Sequence, residues 1–244
     1  MIRNGFAKLK TSAKDKIKWR SHEPKRIEAF SDGAFAFAIS LIIFSLDVPK
    51  NSHELLKSMK GTLPFLGCFV LVFRIWYEQY RFFRRYGMND IVTIFLNGFL
   101  IFLVLVYVYP LKFLWSTVFL IEGYMISEAD VVPVMFLFLG GASGLAALFT
   151  GMYFNAYLKR DELKLLPHEI FETKTYLFGY LSATLTGTVT AILFGIVKHD
   201  YMVYCVGMLY AGIIGTFIFA KVRKKMFRKK FANLPMIEPH LGAE

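Results

Sequence analysis

Residues 91–112 read IVTIFLNGFLIFLVLVYVYPLK, and no charged residue occurs in this run before Lys112. A helix needs about 20 mostly apolar residues to cross the hydrocarbon core of a membrane. The run does not alternate with a period of two, and it is much longer than a strand of a membrane β-barrel. We therefore predict that it forms a membrane-spanning α-helix.

Further apolar runs of similar length lie on both sides of this one. We predict five more spanning helices, at residues 27–46, 62–80, 131–158, 176–197 and 202–220. Six helices of about 20 residues use about 120 residues. That fits a chain of 244 residues that is 56% hydrophobic and only 19% charged. The predicted fold class is an all-α membrane protein with six transmembrane helices per subunit.

The basic residues predict the orientation of these helices. The chain has 29 Lys and Arg against 18 Asp and Glu, a net charge of +11. Of the basic residues, 23 fall in the two termini and the even-numbered loops, and five fall on the other side. The positive-inside rule therefore predicts that both termini are cytoplasmic. The predicted parts are a basic N-terminal segment (1–25), a transmembrane domain (26–222) and a basic tail (223–244).

The charge pattern and the motifs also exclude several classes of protein. Basic residues beside apolar runs indicate membrane orientation rather than binding of nucleic acid. Near residue 221 they fit either a flank of the last span or binding of anionic lipid headgroups. Cys68 and Cys205 both lie in apolar runs, so we expect neither a disulfide framework nor a metal site. We find no catalytic motif, so we expect no enzyme and no cofactor.

Four polar residues within the predicted spans fall near the cytoplasmic end of the bundle: Asp32, Arg74, Glu78 and Asn97. An ionised side chain in a span is costly unless it is paired or faces a wet cavity. We expect Asp32 to pair with a residue of another helix, such as Arg74 or Asn97. Such a polar cluster can simply lock helices together, or it can belong to a functional site.

One face of the first span alternates small and bulky side chains. At 100° per residue this face comprises Phe30, Gly33, Ala34, Phe37, Ser40, Leu41 and Phe44. Apolar constrictions can gate a pore by dewetting, but ordinary helix packing produces the same pattern. Glycines of the fourth span, including Gly140, Gly141 and Gly144, predict close helix packing. Threonines at 184, 186, 188 and 190 could line a polar path or bond back to their own helix.

The segment Arg26-Ile-Glu-Ala-Phe30-Ser31-Asp32-Gly33, followed by Pro49, is the most specific motif in the chain. Together with Trp76, Asn97 and Pro110, it resembles the prokaryotic members of the transmembrane protein 175 family of potassium channels. The resemblance covers about residues 26–110. It implies a potassium-favouring cation channel assembled as a homotetramer of six-span subunits, without the carbonyl-lined filter loop of ordinary potassium channels.

The resemblance also implies roles for individual residues. The first span would line the pore, with the constriction at Phe37 and neighbouring layers near Ser40, Leu41 and Phe44. The implied polar network comprises Arg26, Phe30, Ser31, Asp32, Trp76, Gln79 and Asn97. The implied partners are potassium ions as the permeant species, membrane lipid and other copies of the chain, in a prokaryotic plasma membrane.

This chain departs from the family at two positions. Phe37 stands where the family usually has Ile or Leu, and Gln79 stands where it tends to have His. Because an amide does not titrate, we expect no pH response through Gln79. Two other functions remain open on sequence grounds, a secondary ion-coupled transporter and a non-conducting membrane scaffold. A transporter would show an internal repeat, and we find none between the two halves of the chain.

Overall fold

The computed structural model describes residues 25–44, 50–52, 55–56, 59, 61–121, 126–196, 222–223 and 225–226. Among them the long elements are the α-helices α1 (Arg26–Phe44), α2 (Thr62–Tyr86), α3 (Ile91–Val118), α4 (Val131–Leu158) and α5 (Pro167–Ile196). A short 3₁₀-helix, Glu128–Asp130, precedes α4. The sixth predicted span, at 202–220, lies outside the described residues, as do nearly all of the predicted N-terminal segment and C-terminal tail.

The described residues confirm the all-α class. By length and composition, three helices among them could cross a membrane: Ile91–Val118, Val131–Leu158 and Pro167–Leu193. Membrane crossing by α1 and α2 stays a prediction, because each contains charged residues within its length. The count of six spans per subunit stays a prediction as well.

The predicted helices agree with the structure at some ends and differ at others. The bounds of α4 are those predicted, while α2 and α3 continue past their predicted last residues, 80 and 112, to Tyr86 and Val118. In α3 the helix passes through Pro110, which membrane helices tolerate when neighbours satisfy the freed backbone groups. Helix α5 begins at Pro167 rather than at residue 176, because a proline at the first position and an acid in the first turn favour a helix start there.

A left-handed glycine ends α2. Gly87 has φ 59°, and its N–H donates to the Phe83 carbonyl at 2.8 Å. This is the usual way a helix stops when glycine can adopt a conformation that other residues avoid. Arg84 and Arg85 occupy the last turn, where positive charge interacts favourably with the helix dipole. Hydropathy alone does not detect this polar last stretch, which explains the late end of α2.

Helix α3 lies at the centre of the packing, in contact with α1, α2 and α4, and α5 packs along α4. Gly141 of α4 lies directly against the ring of Tyr107, which leaves no room for a Cβ atom there. The Tyr107 hydroxyl donates to the Phe138 carbonyl at 2.7 Å and fixes that ring. The predicted close packing of α4 is thus confirmed at Gly141, whereas nothing lies within 4 Å of a Cβ built at Gly140.

Two of the predicted threonines of α5 bond back to their own helix. Thr184 donates to the Tyr180 carbonyl at 2.9 Å, and Thr190 donates to the Thr186 carbonyl at 2.7 Å. These bonds satisfy the hydroxyls inside an apolar bundle. They favour the packing interpretation of these residues over a polar path.

Candidate functional site

The beginning of α1 is fixed to the turn between α2 and α3. The Lys25 ammonium donates to the Gly87 carbonyl at 2.5 Å, and the Lys25 backbone N–H donates to Glu28 Oε1 at 3.3 Å. A cation at the carbonyl end of a helix is favourable. This contact holds the first turn of α1 against the end of α2.

A chain of three buried polar side chains connects α1, α3 and α2. Asn97 Nδ2 donates to Ser31 Oγ at 2.9 Å, and Gln79 Nε2 donates to Asn97 Oδ1 at 3.0 Å. Ser31 in turn donates to the Ile27 carbonyl at 2.7 Å. All three side chains are buried. Because buried polar groups are stable only when they are paired, this chain fixes the rotation of α1 relative to the other two helices.

The partner of Asp32 is the indole of Trp76. Trp76 Nε1 donates to Asp32 Oδ1 at 2.7 Å, so the partner lies on another helix, as predicted, but it is neither Arg74 nor Asn97. Arg74 lies four residues before Glu78 on α2 and pairs with it instead, as residues on one helix face do. Asn97 is already bonded to Ser31 and Gln79.

The other two members of the implied network lie elsewhere. Arg26 and Phe30 are exposed on α1, and within the described part of the chain neither joins these hydrogen bonds. Phe30 is 68% exposed. The structure therefore brings together five of the seven implied residues, in two groups: Ser31 with Asn97 and Gln79, and Asp32 with Trp76.

Among the implied constriction residues, Phe37 lies on the side of α1 that the described part of the subunit leaves exposed. Phe37 is 58% exposed, whereas Phe35, Ala38 and Ile42 are buried against the core. Ser40 donates to the Ala36 carbonyl at 3.0 Å, and this hydroxyl oxygen keeps an acceptor lone pair. Leu41 is half-buried. Phe44 is the last residue of α1, and its side chain lies outside the described part.

A second polar cluster, which the sequence analysis missed, joins α3 to α4. Asp90 caps α3 by accepting from the Thr93 N–H at 3.3 Å and from its hydroxyl at 2.7 Å. Asn155 Nδ2 also donates to Asp90 at 2.9 Å, and Lys159 Nζ lies 3.2 Å away. An Asp directly before an apolar run is a helix-start signal, so this residue could have been found.

These contacts set the charge of Asp90. Burial on its own would raise the pKa of the carboxyl, but the hydrogen bonds from Asn155, Thr93 and Lys159 outweigh burial and lower the pKa to about 2. Bonds that favour the ionised form lower a carboxyl pKa in this way. The Asp90 carboxylate is therefore charged at any physiological pH.

A third cluster fixes the C-terminal half of α2 to α5. The carboxylate of Glu78 accepts from Arg81 at 3.2 Å as well as from Arg74. Arg81 also donates to the Tyr176 hydroxyl and stacks over that ring. Within the described residues, no group of three His, Cys, Asp or Glu side chains could hold a metal ion. The polar contacts in these clusters hold neighbouring helices in fixed positions.

The fold and the site define a class, the polytopic helical membrane proteins whose first helix is held by buried polar contacts and presents an apolar edge outward. The model of the family described as "Endosomal/lysosomal potassium channel TMEM175" matches residues 26–110. A potassium channel of Marivirga tractuosa is 39% identical over 176 residues, covering 67% of this chain and 71% of that protein. A potassium channel of Chamaesiphon minutus is 31% identical, covering 64% and 79%.

A solved structure agrees with these relatives. The crystal structure of a variant of the potassium channel MtTMEM175, in complex with a nanobody fusion protein, has a TM-score of 0.76 and 32% sequence identity. The match covers 86% of this chain and 97% of that one. The chain belongs to the TMEM175 family, whose named members are potassium channels and not enzymes.

Proposed function

We propose that this protein is a potassium-favouring cation channel of the cell membrane, with a hydrophobic constriction formed by α1. The observation that carries the proposal is the outward edge of α1, where Phe37 is exposed while the opposite face of the helix is buried and hydrogen-bonded. A helix fixed this firmly on one side presents its other side in a defined orientation. The named relatives, which are potassium channels, support the same conclusion.

In the part of the subunit that the structure describes, this edge lies on the surface and no conduction path is enclosed along it. Closed symmetric oligomers are the common solution for such incomplete sites. Four six-span subunits around one axis, with both termini cytoplasmic, would place four Phe37 rings around a narrow apolar neck. Ions pass such a neck only when it widens and wets.

Selectivity in this proposal comes from the cost of removing water from the ion. Potassium holds its hydration shell less tightly than sodium, so a narrow apolar neck favours potassium. The Ser40 hydroxyl, one turn from Phe37, offers an oxygen to a partly dehydrated ion. The pore therefore needs no loop of backbone carbonyls.

The direct test is a reversal-potential measurement on the purified protein in planar bilayers, with potassium on one side and sodium on the other. We expect a reversal potential displaced toward the potassium equilibrium value. A flux that requires a second ion gradient would instead indicate a transporter, and no flux at all would indicate a scaffold.

Phe37→Ala tests the constriction in the same bilayers. Removing four phenyl rings widens the neck, so we expect higher single-channel conductance and a reversal potential closer to zero. Phe102→Ala on α3 is the matched control, since Phe102 is similarly exposed in the subunit but lies off α1. Identical currents for native protein and Phe37→Ala would contradict the proposal.

A further inference from the structure

Three basic side chains lie at the end of the bundle where α4 stops and α5 starts. We call them the basic cluster, and they are Arg160, Lys174 and Arg223. The Arg160 guanidinium lies 5.0 Å from the centre of the Tyr157 ring, and the Lys174 ammonium lies 5.1 Å from the same centre. The two charges are therefore no further apart than these two distances combined. A cation over an aromatic face is attracted by the ring, so Tyr157 favours the approach of two like charges.

Arg223 joins the basic cluster from the chain that follows the predicted sixth span. Its Nε donates to Thr175 Oγ1 at 3.1 Å, and its Nη2 donates to the Phe171 carbonyl at 3.3 Å. Its guanidinium also lies 4.0 Å from the centre of the Phe171 ring. Phe171 precedes Lys174 by three residues in α5, so the two side chains project from the same side of that helix. Arg223 and Lys174 are therefore neighbours on the surface of α5.

Other basic residues at this end of the bundle are paired with acids. Arg85 pairs with Glu172 at 3.1 Å, and Lys159 pairs with Asp90 at 3.2 Å. Lys174 differs from them, because in the part of the chain that the structure describes its contact is with a neutral ring and it forms no ion pair. The charge of Lys174 is therefore available to a ligand.

Arg160 and Arg223 also keep much of their charge. Asp161 Oδ2 lies 3.6 Å from Arg160 Nη2, but the side chain of Asp161 is 86% exposed. Water screens an ion pair at such a position, which makes it weak. The groups that Arg223 contacts on Thr175 and Phe171 are neutral. The basic cluster therefore combines three positive charges on a small area of the subunit.

Exposed apolar side chains continue from the basic cluster along both helices. Phe154 and Leu158 of α4 are 51% and 57% exposed, and Phe178 of α5 is 50% exposed. Phe154 precedes Tyr157 by three residues and Phe178 follows Lys174 by four, so they share the helix faces that carry the cluster. Both helices are long and apolar enough to cross a membrane. This surface therefore suits acyl chains, and the basic cluster lies at its end.

We propose that the basic cluster binds the phosphate group of an anionic membrane lipid whose acyl chains lie along Phe154, Leu158 and Phe178. Positive charge near a membrane surface attracts anionic lipids, and a guanidinium can donate two hydrogen bonds to one phosphate. Lys174 starts within the apolar length of α5, and its long side chain extends to the ring of Tyr157 near the end of α4. A free phosphate ion would use the same cations but not the apolar surface. The proposal holds whether or not α1 lines a pore.

Thermal stability in the presence of lipid tests this site, because a ligand that binds the folded state stabilises it by mass action. The full-length protein is purified in a neutral detergent. Its melting temperature is measured with increasing mole fractions of phosphatidylglycerol or of phosphatidylcholine with the same chains, and separately with inorganic phosphate. The test variant is Lys174→Gln. Lys164→Gln is the matched control, since Lys164 is an exposed cation of the same end of the bundle and does not stack on Tyr157.

We expect phosphatidylglycerol to raise the melting temperature of the native protein by at least about 3 °C, and phosphatidylcholine to raise it by less than half as much. Lys174→Gln should need about fivefold more phosphatidylglycerol for the same rise, since one basic residue near a membrane surface contributes about that factor. Lys164→Gln and the charge-conserving Lys174→Arg should both behave like the native protein. Arg160→Gln is a second test variant with the same expectation as Lys174→Gln.

Three outcomes would overturn the proposal. Equal lipid requirements for the native protein, Lys174→Gln and Arg160→Gln would place the anionic lipid elsewhere, for example on the basic tail. An equal rise with phosphatidylcholine, or no rise with either lipid, would show that the headgroup charge is not recognised. A rise with inorganic phosphate as large as that with phosphatidylglycerol would show that the cluster binds a free anion instead of a lipid.

Discussion

The main effect of the hydrogen bonds among Ser31, Asn97 and Gln79 is to fix the orientation of α1. Hydrogen bonds between membrane helices contribute on average about 0.6 kcal/mol each, so the two bonds between helices stabilise the bundle only modestly. A buried group that loses its partner costs about 1–3 kcal/mol. The larger penalty is therefore for rotating α1 out of register, which would separate Ser31 from Asn97.

Gln79→His tests the expectation that this position does not titrate in the native protein. A neutral imidazole can donate to Asn97 in place of the amide, but its ordinary pKa of about 6.5 lets it gain a proton in mild acid. A buried charge without a counter-charge is unfavourable, so we expect the variant's current to change between pH 7.5 and 5.5. The measurement is the ratio of variant to native potassium current at each pH. A ratio that is constant over this range would contradict the prediction.

The sequence predicted that Asp32 bonds to a hydrogen-bond donor, but it did not determine which residue supplies that donor. The sequence indicates that an ionised carboxylate in a span needs a donor, but several donors lie at similar depth. The choice of Trp76 depends on the rotation of α2 relative to α1, which spacing alone does not determine. By charge, Arg74 was the more obvious partner for Asp32. Arg74 instead forms an ion pair with Glu78, one turn further along the same face of α2.

At the level of elements, Asp90 couples the start of α3 to the end of α4. Its folded-state pKa of about 2 lies below the ordinary value of 3.8. The ionised carboxylate therefore stabilises the fold above about pH 4, and this stabilisation is lost as the pH falls toward 2.

Asp90→Asn removes this charge with little change of shape. We expect the variant to be less stable than the native protein at pH 7, by at most about 2 kcal/mol, with the difference shrinking as the pH approaches 2. Thermal unfolding in detergent between pH 2 and 7 measures this. A difference that stays constant over the whole range would show that the carboxylate charge is not the cause.

The contact of α4 with α3 offers a matched pair of glycines. Gly141→Ala places a methyl group against the fixed ring of Tyr107, and overpacking of this kind costs about 1–3 kcal/mol. Gly140→Ala adds a methyl group in open space and gains up to about 1 kcal/mol of helix propensity. We expect a lower melting temperature for the first variant and an equal or higher one for the second. Equal melting temperatures would contradict the packing found here.

The elements differ in how well hydropathy predicts them. Both ends of α4 coincide with changes of composition, at Val131 and after Leu158, and both were predicted correctly. The ends of α2 and α5 extend into polar sequence, where Gly87 and Pro167 determine the boundary. Hydropathy indicates where a helix leaves an apolar environment. The helix itself ends where its backbone hydrogen bonds end, and in α2 and α5 the two positions differ.

At the level of the whole molecule, the described helices leave one edge of α1, which includes Phe37, exposed on the surface of the subunit. The chain belongs to the TMEM175 family and its described part is all-helical. The proposed ring of copies and the proposed constriction both require that the exposed edge of α1 faces a common axis. Periodicity predicted that Phe30, Phe37 and Ser40 share one face of α1, but it did not predict that this face is exposed on the subunit.

Access of a small cation to position 37 tests the central claim most directly. Phe37→Cys, with Cys68 and Cys205 replaced by Ala, is reconstituted in planar bilayers and exposed to silver ions, which bind thiols tightly. If α1 lines the conduction path, potassium current through Phe37→Cys falls progressively to a blocked level, while Phe102→Cys keeps its current. Unchanged current through Phe37→Cys, with mass spectrometry showing the thiol modified, would place Phe37 away from the ion path and contradict the account.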